Sequence, residues 1–355
     1  MKNNLRIAVS GLNRGDNPQP GSGIIRSIRR NFPDAAIIGL AYDAMESGIY
    51  ADGGPDETYL MPFPAAGIVA FFERLDAILT RASIDVYIPT LDSEIELLTH
   101  ARTGFVERGI RVCLPDPATL QHRAKQHLQR LAKECNTMVP DTKIANDTNA
   151  AIIAGAELGY PLIVKGPYYD AKLASSETEL SATTTRLLSE WGGPVILQRC
   201  VQGPEFNALG LGDGLGGMLG LCCIRKTLLS EKGKGQGGIT IEESRLSALC
   251  SRIIRSLKWQ GPFEIEVILD AESDDYVLIE MNPRFPAWVD FPSMIGANFP
   301  AVLVNMLMGE KTERLPPCPA GRFYIRHQTE VAGRVEDFAN LFADVPQNSA
   351  ILQTP

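Results

Sequence analysis

Residues 5–114 alternate between short apolar segments and amphipathic segments, and this alternation limits the fold more than any other feature of the chain. The apolar segments predict strands at Leu5–Ser10, Ala36–Leu40, Asp85–Pro89 and Arg111–Leu114. The segments between them predict helices, one ending at Arg30, others at Ile68–Ala82 and Thr103–Glu107. Strands that alternate with helices form a parallel sheet with helices on both faces. We therefore predict an α/β domain that ends near residue 115.

The composition argues against several function classes. The chain has 355 residues, a formal charge of -8 and scattered Lys and Arg, whereas nucleic-acid binding requires a basic stripe. No segment reaches the roughly 18 uninterrupted apolar residues of a membrane helix, and the first residues lead into a strand rather than a signal peptide. Seven cysteines without a C-x-x-C motif predict free thiols in a reducing compartment. We therefore expect a cytoplasmic protein of two or three domains.

Two apolar segments in the last third of the chain carry the most informative polar residues. Phe263–Leu269 and Tyr276–Met281 predict an antiparallel hairpin with a short acidic turn. Because strand side chains alternate between faces, Glu280 and Asn282 point to one side, to which the hairpin can bring Glu266. Two carboxylates and an amide oxygen suit Mg²⁺ better than a soft metal. The alternative, a solvated acidic face, is disfavoured because unpartnered polar groups are costly in an apolar strand.

Leu278–Arg284, with the sequence LIEMNPR, resembles the metal-binding signature of ATP-grasp enzymes, above all of carbamoyl-phosphate synthase large subunits. The resemblance extends from about Gln121 to Lys311. Biotin carboxylase and the carboxylate–amine ligases share the same core. The resemblance implies an α/β plus α+β protein, in which a Rossmann-like domain precedes a two-lobed ATP-grasp fold. The implied parts are the Rossmann-like domain at 1–115, a first lobe at 116–197, a second lobe with the metal site at 198–315, and an extension of unassigned role at 316–355.

Four basic residues are implied to contact the phosphates. Lys125 and Lys165 match the two phosphate-binding cations of the family, and Lys226 lies where the family carries basic or polar groups facing the phosphates. Two separate lysines are physically reasonable, because a triphosphate needs neutralisation from more than one side. Arg284 would stabilise the transferred phosphoryl group or the acyl phosphate. For Lys125 a solvated helix position is the alternative, and the glycine- and lysine-rich segment 232–238 is either a phosphate loop or a surface hairpin.

The segment Gln198–Glu205 matches the family's hinge between the two lobes. There, backbone groups of Cys200 and Val201 would hold the adenine edge, and Glu205 the ribose hydroxyls. Gln198 stands where the family usually has Glu, and its amide oxygen still accepts from the adenine amine. The residues implied to form the apolar slot for the base, for which plain core positions are the alternative, are Ile163, Val201 and Ile268.

Two segments depart from the patterns of known nucleotide sites. The family's lid after the second lysine is glycine-rich, whereas Gly166–Ala174 is shorter and contains Pro167, which has no N–H donor. We predict that Lys172 replaces the missing donors at the β- or γ-phosphate, a solvent-facing turn being the alternative. The loop after the first strand lacks G-x-G-x-x-G spacing, so NAD binding is not expected. The N-terminus of the helix after Gly23 is a candidate anion site, a long surface loop being the alternative.

The resemblance implies an ATP-dependent ligase that activates a carboxylate as an acyl phosphate and joins it to a nucleophile, expected to be an amine. The acid would be an amino acid, a small acid or a peptide. The expected cofactors are ATP and Mg²⁺, with Mn²⁺ as a substitute, and a homodimer is one expectation for assembly. Three alternatives remain: a carbamoyl-phosphate synthase-like enzyme, a carboxylase-like enzyme, and a non-catalytic ATP-binding module.

Overall fold

A computed structural model describes residues 5–15, 17–124, 127–166, 171–229 and 235–343. The chain divides into two compact units. Unit 1 comprises residues 1–121, 207–265 and 281–355, and unit 2 comprises residues 122–206 and 266–280. The four-part division expected from the sequence stays a prediction. No helix within the described residues has the length and apolarity needed to cross a membrane.

The N-terminal part of unit 1 is a parallel α/β sheet, as the alternation predicted. Its elements are β1 (Arg6–Ser10), α1 (Gly21–Asn31), β2 (Ala36–Ala41), β3 (Glu57–Leu60), α2 (Gly67–Leu79), β4 (Val86–Ile88), α3 (Asp92–Leu98), α4 (Arg102–Glu107), β5 (Arg111–Val112) and α5 (Pro117–His122). The five strands have the order β3-β2-β1-β4-β5, and every pairing is parallel. The strands β1, β2 and β4 consist almost entirely of buried side chains, because both faces of such a sheet are covered. Strand β3 and helix α3 were not predicted.

Unit 2 contains a four-stranded antiparallel sheet. Its helices and the strands of this sheet are α6 (Leu128–Cys135), β6 (Thr142–Ala145), α7 (Thr148–Leu158), β7 (Leu162–Lys165), β8 (Ala171–Ala174), α8 (Glu177–Trp191) and β9 (Val195–Arg199). The strand order is β6-β9-β7-β8. The helix predicted from His122 to Cys135 is wrong at its start, because α5 ends at His122 and α6 begins at Leu128. The buried residues of α6 recur at helical spacing only from Leu128 onward.

The remaining strands form a six-stranded sheet. The elements of this part are β10 (Glu205–Asp213), β11 (Met218–Leu229), β12 (Gly235–Ile241), α9 (Ser244–Leu257), β13 (Gln260–Leu269), β14 (Tyr276–Asn282), α10 (Asp290–Met294), α11 (Phe299–Met308), β15 (Phe323–Ile325) and α12 (Val335–Phe342). The strand order is β14-β13-β10-β11-β12-β15. The predicted hairpin is therefore present as the neighbouring strands β13 and β14. Helix α11 begins after the Asn298 cap and ends at Gly309, as predicted.

Two buried clusters hold these units together internally. In unit 1, one cluster joins side chains of β1, β2 and α1 with side chains of α10 and α11, and α1 packs against both of these helices. In unit 2, a separate cluster lies between the sheet and helices α7 and α8, with Leu162, Val164, Val195 and Leu197 pointing into it. Because strand side chains alternate, Ile163, between Leu162 and Val164, and Ile196, between Val195 and Leu197, point to the other face of the unit 2 sheet.

Candidate active site

A buried carboxylate, Glu264 on β13, organises the polar end of unit 1. Glu264 is 5% exposed. Its Oε1 accepts hydrogen bonds from Asn207 Nδ2 at 2.6 Å and from Trp288 Nε1 at 3.0 Å. Its Oε2 accepts from Asn282 Nδ2 at 3.2 Å and lies 3.5 Å from Arg284 Nη1. A buried carboxylate is tolerated when its oxygens receive donors in this way.

Arg284 is fixed by two carboxylates. Its Nε donates to Asp92 Oδ2 at 3.1 Å, in addition to the contact of its Nη1 with Glu264, and Nη1 also lies 3.3 Å from the Phe285 carbonyl oxygen. Asp92 begins α3 directly after β4, at the carboxyl edge of the parallel sheet, where ligands of such sheets collect. The guanidinium is thus held in one orientation while remaining partly exposed. This is a suitable arrangement for a planar donor to an anionic group.

The three residues predicted to bind a metal lie on neighbouring strands. Glu266 is on β13, and Glu280 and Asn282 are on β14, one residue apart and therefore on the same side of the strand. Both glutamates are partly exposed, whereas Asn282 is 4% exposed. Because Asn282 Nδ2 donates to Glu264, its Oδ1 points away from that carboxylate. Among the described residues, no group of three or more His, Cys, Asp and Glu side chains is arranged to hold a metal.

In unit 2, the predicted adenine and phosphate residues of β7 and β9 share one face of the sheet. Ile163 pairs directly with Gln198, and Lys165 pairs with Ile196, in an antiparallel register. This is the face opposite to the buried cluster of Leu162 and Leu197. Gln198 is 3% exposed and its Nε2 donates to Thr142 Oγ1 at 3.2 Å, which orients the amide.

The predicted hinge, residues 198–205, closes against the end of β13 within unit 2. The Cys200 N–H donates to the Pro161 carbonyl oxygen at 3.3 Å, so this donor is already used. The Val201 N–H forms no hydrogen bond with any described residue and is the better candidate to meet a base. Gly203 has a φ of +156°, and a side chain there would overlap the Leu269 carbonyl oxygen and crowd Ile268. Glu205 follows as the first residue of β10 and is partly exposed.

The remaining predicted cations fall in different places. Lys226 is on β11 opposite Gly238, and is partly exposed. Lys172 is on β8 opposite Val164, on the face away from Ile163 and Lys165. Its assignment to the phosphates stays a prediction, and this register does not favour it. Lys125, and residues 167–170 of the predicted lid, lie outside the described residues.

The segment 232–238 is not a loop throughout, as both interpretations assumed. Gly235–Gly238 belongs to β12, which pairs with β11 on one side and with β15 on the other. A side chain at Gly238 would be 3.0 Å from Ile224 Cδ1 and 3.1 Å from Tyr324 Cε1. The glycines therefore permit close packing between strands rather than an open loop.

Unit 1 also contains a cavity of about 1130 Å³. Residues 324–334 form much of its wall, so the C-terminal extension without an assigned role contributes to it. Residues of the first loop and of α1, including Arg14, Ser22 and Arg26, form another part. Trp288 lines the cavity and donates to Glu264, which connects the cavity wall with the carboxylate that holds Arg284.

The loop between β1 and α1 is closed by backbone contacts. The Gly21 N–H donates to the Gly11 carbonyl oxygen at 2.9 Å, and the Gly48 N–H to the Leu12 carbonyl oxygen at 2.9 Å. A side chain at Gly21 would overlap the carbonyl oxygens of Ser10 and Gly11. The buried Glu46 carboxylate accepts from the Leu12 N–H at 2.6 Å, and burial raises the pKa of Glu46. The first turn of α1 is thereby fixed beside the cavity.

Sequence reasoning missed two functional features. Glu264 lies two residues before Glu266 and therefore points to the same side of β13, but its partners Asn207 and Trp288 are far away in sequence. Strand periodicity alone does not distinguish Glu264 from Glu266 as the functional carboxylate of β13. The second feature is the cavity wall formed by Tyr324 and Arg326, whose only signal was the short apolar run Phe323–Ile325 followed by an arginine.

Comparison with solved structures identifies the fold. No family model matches the chain. Biotin carboxylase from Campylobacter jejuni, in a β-γ-ATP complex, is 15% identical with a TM-score of 0.65, over 86% of this chain and 71% of that one. L-amino acid ligase from Bacillus licheniformis is 16% identical with a TM-score of 0.61, over 86% and 75%. N5-carboxyaminoimidazole ribonucleotide synthetase from Thermotoga maritima is 17% identical with a TM-score of 0.60, over 89% and 78%. The chain therefore has the ATP-grasp fold, with an N-terminal parallel α/β domain, as the sequence resemblance implied.

Proposed function

We propose that the chain is an ATP-dependent ligase that converts a carboxylate into an acyl phosphate and transfers the acyl group to an amine. One observation carries the proposal: in an ATP-grasp fold, β14 carries Glu280 and Asn282 at its carboxyl end, Arg284 follows two residues later, and Glu264 contacts both Asn282 and Arg284. The similar structures are those of a carboxylase, a ligase and a synthetase, which supports the same class of reaction.

The unit 2 sheet offers a consistent place for the nucleotide. Ile163 and Lys165 lie on one face with Gln198. The Val201 N–H, three residues after Gln198, is the proposed donor to the base. In the proposal, Ile163, Val201 and Ile268 contact the base, Glu205 the ribose, and Lys165 the phosphates. Lys125 and Lys226 are proposed as further phosphate contacts.

The donor set on β13 and β14 fits a magnesium ion. Glu266, Glu280 and the Asn282 amide all offer oxygen donors, and the hydrogen bond from Asn282 Nδ2 to Glu264 turns the amide oxygen away from that carboxylate. Bound there, Mg²⁺ or Mn²⁺ would neutralise phosphate charge. The protein's own part is to fix the ligands and to exclude the wrong amide orientation.

In the proposed reaction, a carboxylate oxygen of the acid attacks the γ-phosphorus and the bond to the β-phosphate oxygen breaks, releasing ADP. The amine then attacks the acyl carbon, phosphate leaves, and the amine loses a proton. Arg284 donates hydrogen bonds to the phosphoryl oxygens, where a fixed donor lowers the barrier by stabilising developing charge. The ion pairs with Asp92 and Glu264 hold the Arg284 guanidinium in one orientation, so its donors are pre-oriented.

A carboxylase-like reaction, with bicarbonate as the acid, is the second candidate, and the likeness to biotin carboxylase favours it. We expect small molecules rather than nucleic acid or membrane as partners, a cytoplasmic location, and a homodimer as the assembly to test by light scattering.

Release of ADP tests the proposal. The purified chain is incubated with ATP and Mg²⁺, alone and with amino acids, short peptides, other small acids or bicarbonate, each with and without an amine. The expected result is ADP release that requires a particular acid and a product that joins acid and amine. The matched control is Glu280→Ala, which should bind nucleotide without turnover. ATP binding without stimulation by any acid would instead support a non-catalytic module.

A further inference from the structure

The cavity of unit 1 has two chemically different walls. One wall is basic and the other aromatic. The residues concerned are Arg14, Arg26 and Arg326 on the basic wall, and Trp288, Phe291 and Tyr324 on the aromatic wall. At about 1130 Å³, the cavity is slightly larger than the usual ligand site of about 300–1,000 Å³, which allows a ligand larger than a single amino acid.

Arg26 repels the other two arginines of the basic wall. Burial, followed by the charge of Arg26, lowers the pKa of Arg14, and Asp52 offsets part of this effect. Burial also lowers the pKa of Arg326, Tyr324 and Glu264 offset part of this effect, and the charge of Arg26 adds a smaller lowering. The Arg14 guanidinium forms no hydrogen bond or ion pair with any described residue. Gathering like charges in a partly buried place is unfavourable unless an anion joins them.

Three acidic residues line the cavity, namely the exposed Asp52 and Glu330 and the buried Asp290, and Asp290 is already neutralised. Asp290 accepts from Arg26 Nε at 2.7 Å and also from Arg30, which does not line the cavity. One carboxylate thus faces two guanidiniums, and the pair of arginines retains a positive charge. Arg326 contributes a further cation, since the only hydrogen bond from its side chain to a described residue goes to the neutral Gly235 carbonyl oxygen, at 3.4 Å, and it forms no ion pair with a described carboxylate.

The first turn of α1 adds neutral donors to the basic wall. Ser22 and Gly23 line the cavity, and the N-cap residue Pro20 provides no side-chain cap. The N-terminus of a helix favours an anion because its first N–H groups lack partners within the helix. Ser22 is 9% exposed, and its Oγ has no hydrogen-bond partner among the described residues.

The aromatic wall consists of two stacked rings and a third ring that is tilted against them. Trp288 and Tyr324 are stacked with ring centroids 6.4 Å apart and an interplanar angle of 13°. Phe291 lies 5.1 Å from Tyr324. Such a surface favours an apolar or aromatic body, because burying that body removes apolar area from water.

We propose that this cavity binds one substrate of the ligase, an organic anion whose carboxylate or phosphate contacts Arg14 and Arg326 and whose apolar or aromatic body lies on Trp288, Phe291 and Tyr324. The assignment of a ligase substrate rests on the proposed function, whereas the binding of such an anion does not. Trp288 donates to the same Glu264 that contacts Arg284, so the aromatic wall is connected through one carboxylate to the arginine proposed for phosphoryl transfer.

Calorimetric titration of the full chain without ATP tests the site. The probes are N-acetyl-phenylalanine, its neutral amide, phenyl phosphate and acetate. The two aromatic anions should bind, and the amide and acetate should bind at least about tenfold more weakly, because only the aromatic anions use both walls. Whether N-acetyl-phenylalanine or phenyl phosphate binds more tightly identifies the preferred anion.

Matched variants locate the binding. Arg14→Gln and Arg326→Gln should each weaken the binding of the aromatic anions about tenfold to a hundredfold and leave the amide unchanged. Arg314→Gln, an exposed arginine of the same unit that does not line the cavity, should change nothing. Arg14→Gln should keep or raise Tm, because it removes repulsion rather than a contact. Ligand-induced quenching of tryptophan fluorescence should be lost in Trp288→Phe.

Three results overturn the site: equal affinity of the acid and its amide, wild-type affinity of both arginine variants for the aromatic anions, or no binding of either aromatic anion at millimolar concentration. The two proposals fail separately. Binding as expected, without ADP release by any acid, refutes the ligase and leaves the anion site. Acid-stimulated ADP release that the two arginine variants do not alter refutes the site and leaves the ligase.

Discussion

Glu264→Gln tests whether the buried carboxylate holds the proposed metal and phosphoryl residues in place. The substitution keeps the shape of the side chain but converts one oxygen into a donor. If Oε1 remains an oxygen toward Asn207 and Trp288, the new amide nitrogen faces Asn282 Nδ2 and Arg284 Nη1, both of which are donors. The Asn282 amide can avoid the clash by turning, so that its oxygen accepts from Gln at 264. That oxygen is then withdrawn from the proposed metal site.

The expected fall in the free energy of unfolding follows from two hydrogen bonds. Oε2 accepts both in the wild type, and the new amide nitrogen can accept neither. A neutral hydrogen bond contributes about 1 kcal/mol and one to a charged group about 1.5–3 kcal/mol. The 3.5 Å contact with Arg284 is long, so we expect the free energy of unfolding to fall by about 2–3 kcal/mol. Loss of a residue that orients a metal ligand typically weakens metal affinity or activity about tenfold to a hundredfold. The concentration of Mg²⁺ needed for half-maximal ADP release should rise accordingly.

The assays are urea unfolding and ADP release as a function of Mg²⁺ concentration. Glu272→Gln is the matched control, because Glu272 pairs with Arg199 at 2.9 Å on the surface, with 77% of its side chain exposed. That change should cost less than about 1 kcal/mol and leave the Mg²⁺ requirement unaltered. A Glu264→Gln protein with the wild-type unfolding midpoint and the wild-type Mg²⁺ requirement would refute the positioning role.

Four further predictions concern single residues. Glu280→Ala should abolish ADP release, a loss of several decades, while circular dichroism stays unchanged; near-normal turnover at saturating Mg²⁺ would refute the metal assignment. Lys165→Ala should weaken ATP binding about tenfold to a hundredfold in thermal-shift titrations, and Lys172→Ala, on the opposite face, should have the smaller effect. In the same titrations ATP should stabilise the wild type more than GTP does, and equal stabilisation would argue against the adenine hinge. ATP should protect Cys200 from iodoacetamide, read by mass spectrometry, and unaltered labelling would contradict the hinge assignment. Burial raises the pKa of Tyr324 to about 12, so its contribution to folding is complete below the ordinary value of about 10 and is lost as pH rises through 12; Tyr324→Phe should flatten the alkaline fall in unfolding free energy, and an identical pH profile would contradict this.

The sequence predicted those helices and strands whose boundaries are set by residues close together in the chain. Strand β7 ends at Lys165 and helix α11 lies between Asn298 and Gly309 because apolar periodicity, a capping side chain and a left-handed glycine act within a few residues. The alternation of residues 5–114 was likewise sufficient for a parallel sheet. Strands β11, β12 and β15 were not predicted, because their pairing is long-range and the glycines of β12 disguise it as a loop.

The candidate site was only half visible in the sequence for a related reason. Glu280 and Asn282 stand out because a polar pair interrupts an apolar strand. Glu264 does not, since its burial depends on donors supplied by Asn207 and Trp288, from β10 and from the segment after β14. Arg326 is equally inconspicuous until β15 brings residues 324–334 to the cavity.

The contacts of Glu264 connect the cavity wall with Asn282 and Arg284 within unit 1. One oxygen accepts from Trp288 of the cavity wall, and the other contacts Asn282 and Arg284. The charge of Glu264 also raises the pKa of Tyr324 and opposes the lowering of the pKa of Arg326, although burial dominates both groups. Hydrogen-bonded groups in a low-dielectric interior polarise one another, so a charge entering the cavity acts on Glu264 with little screening. An anion bound by Arg326 would offset the attraction between that cation and Glu264, so binding in the cavity would change the electrostatic environment of the carboxylate that contacts Arg284.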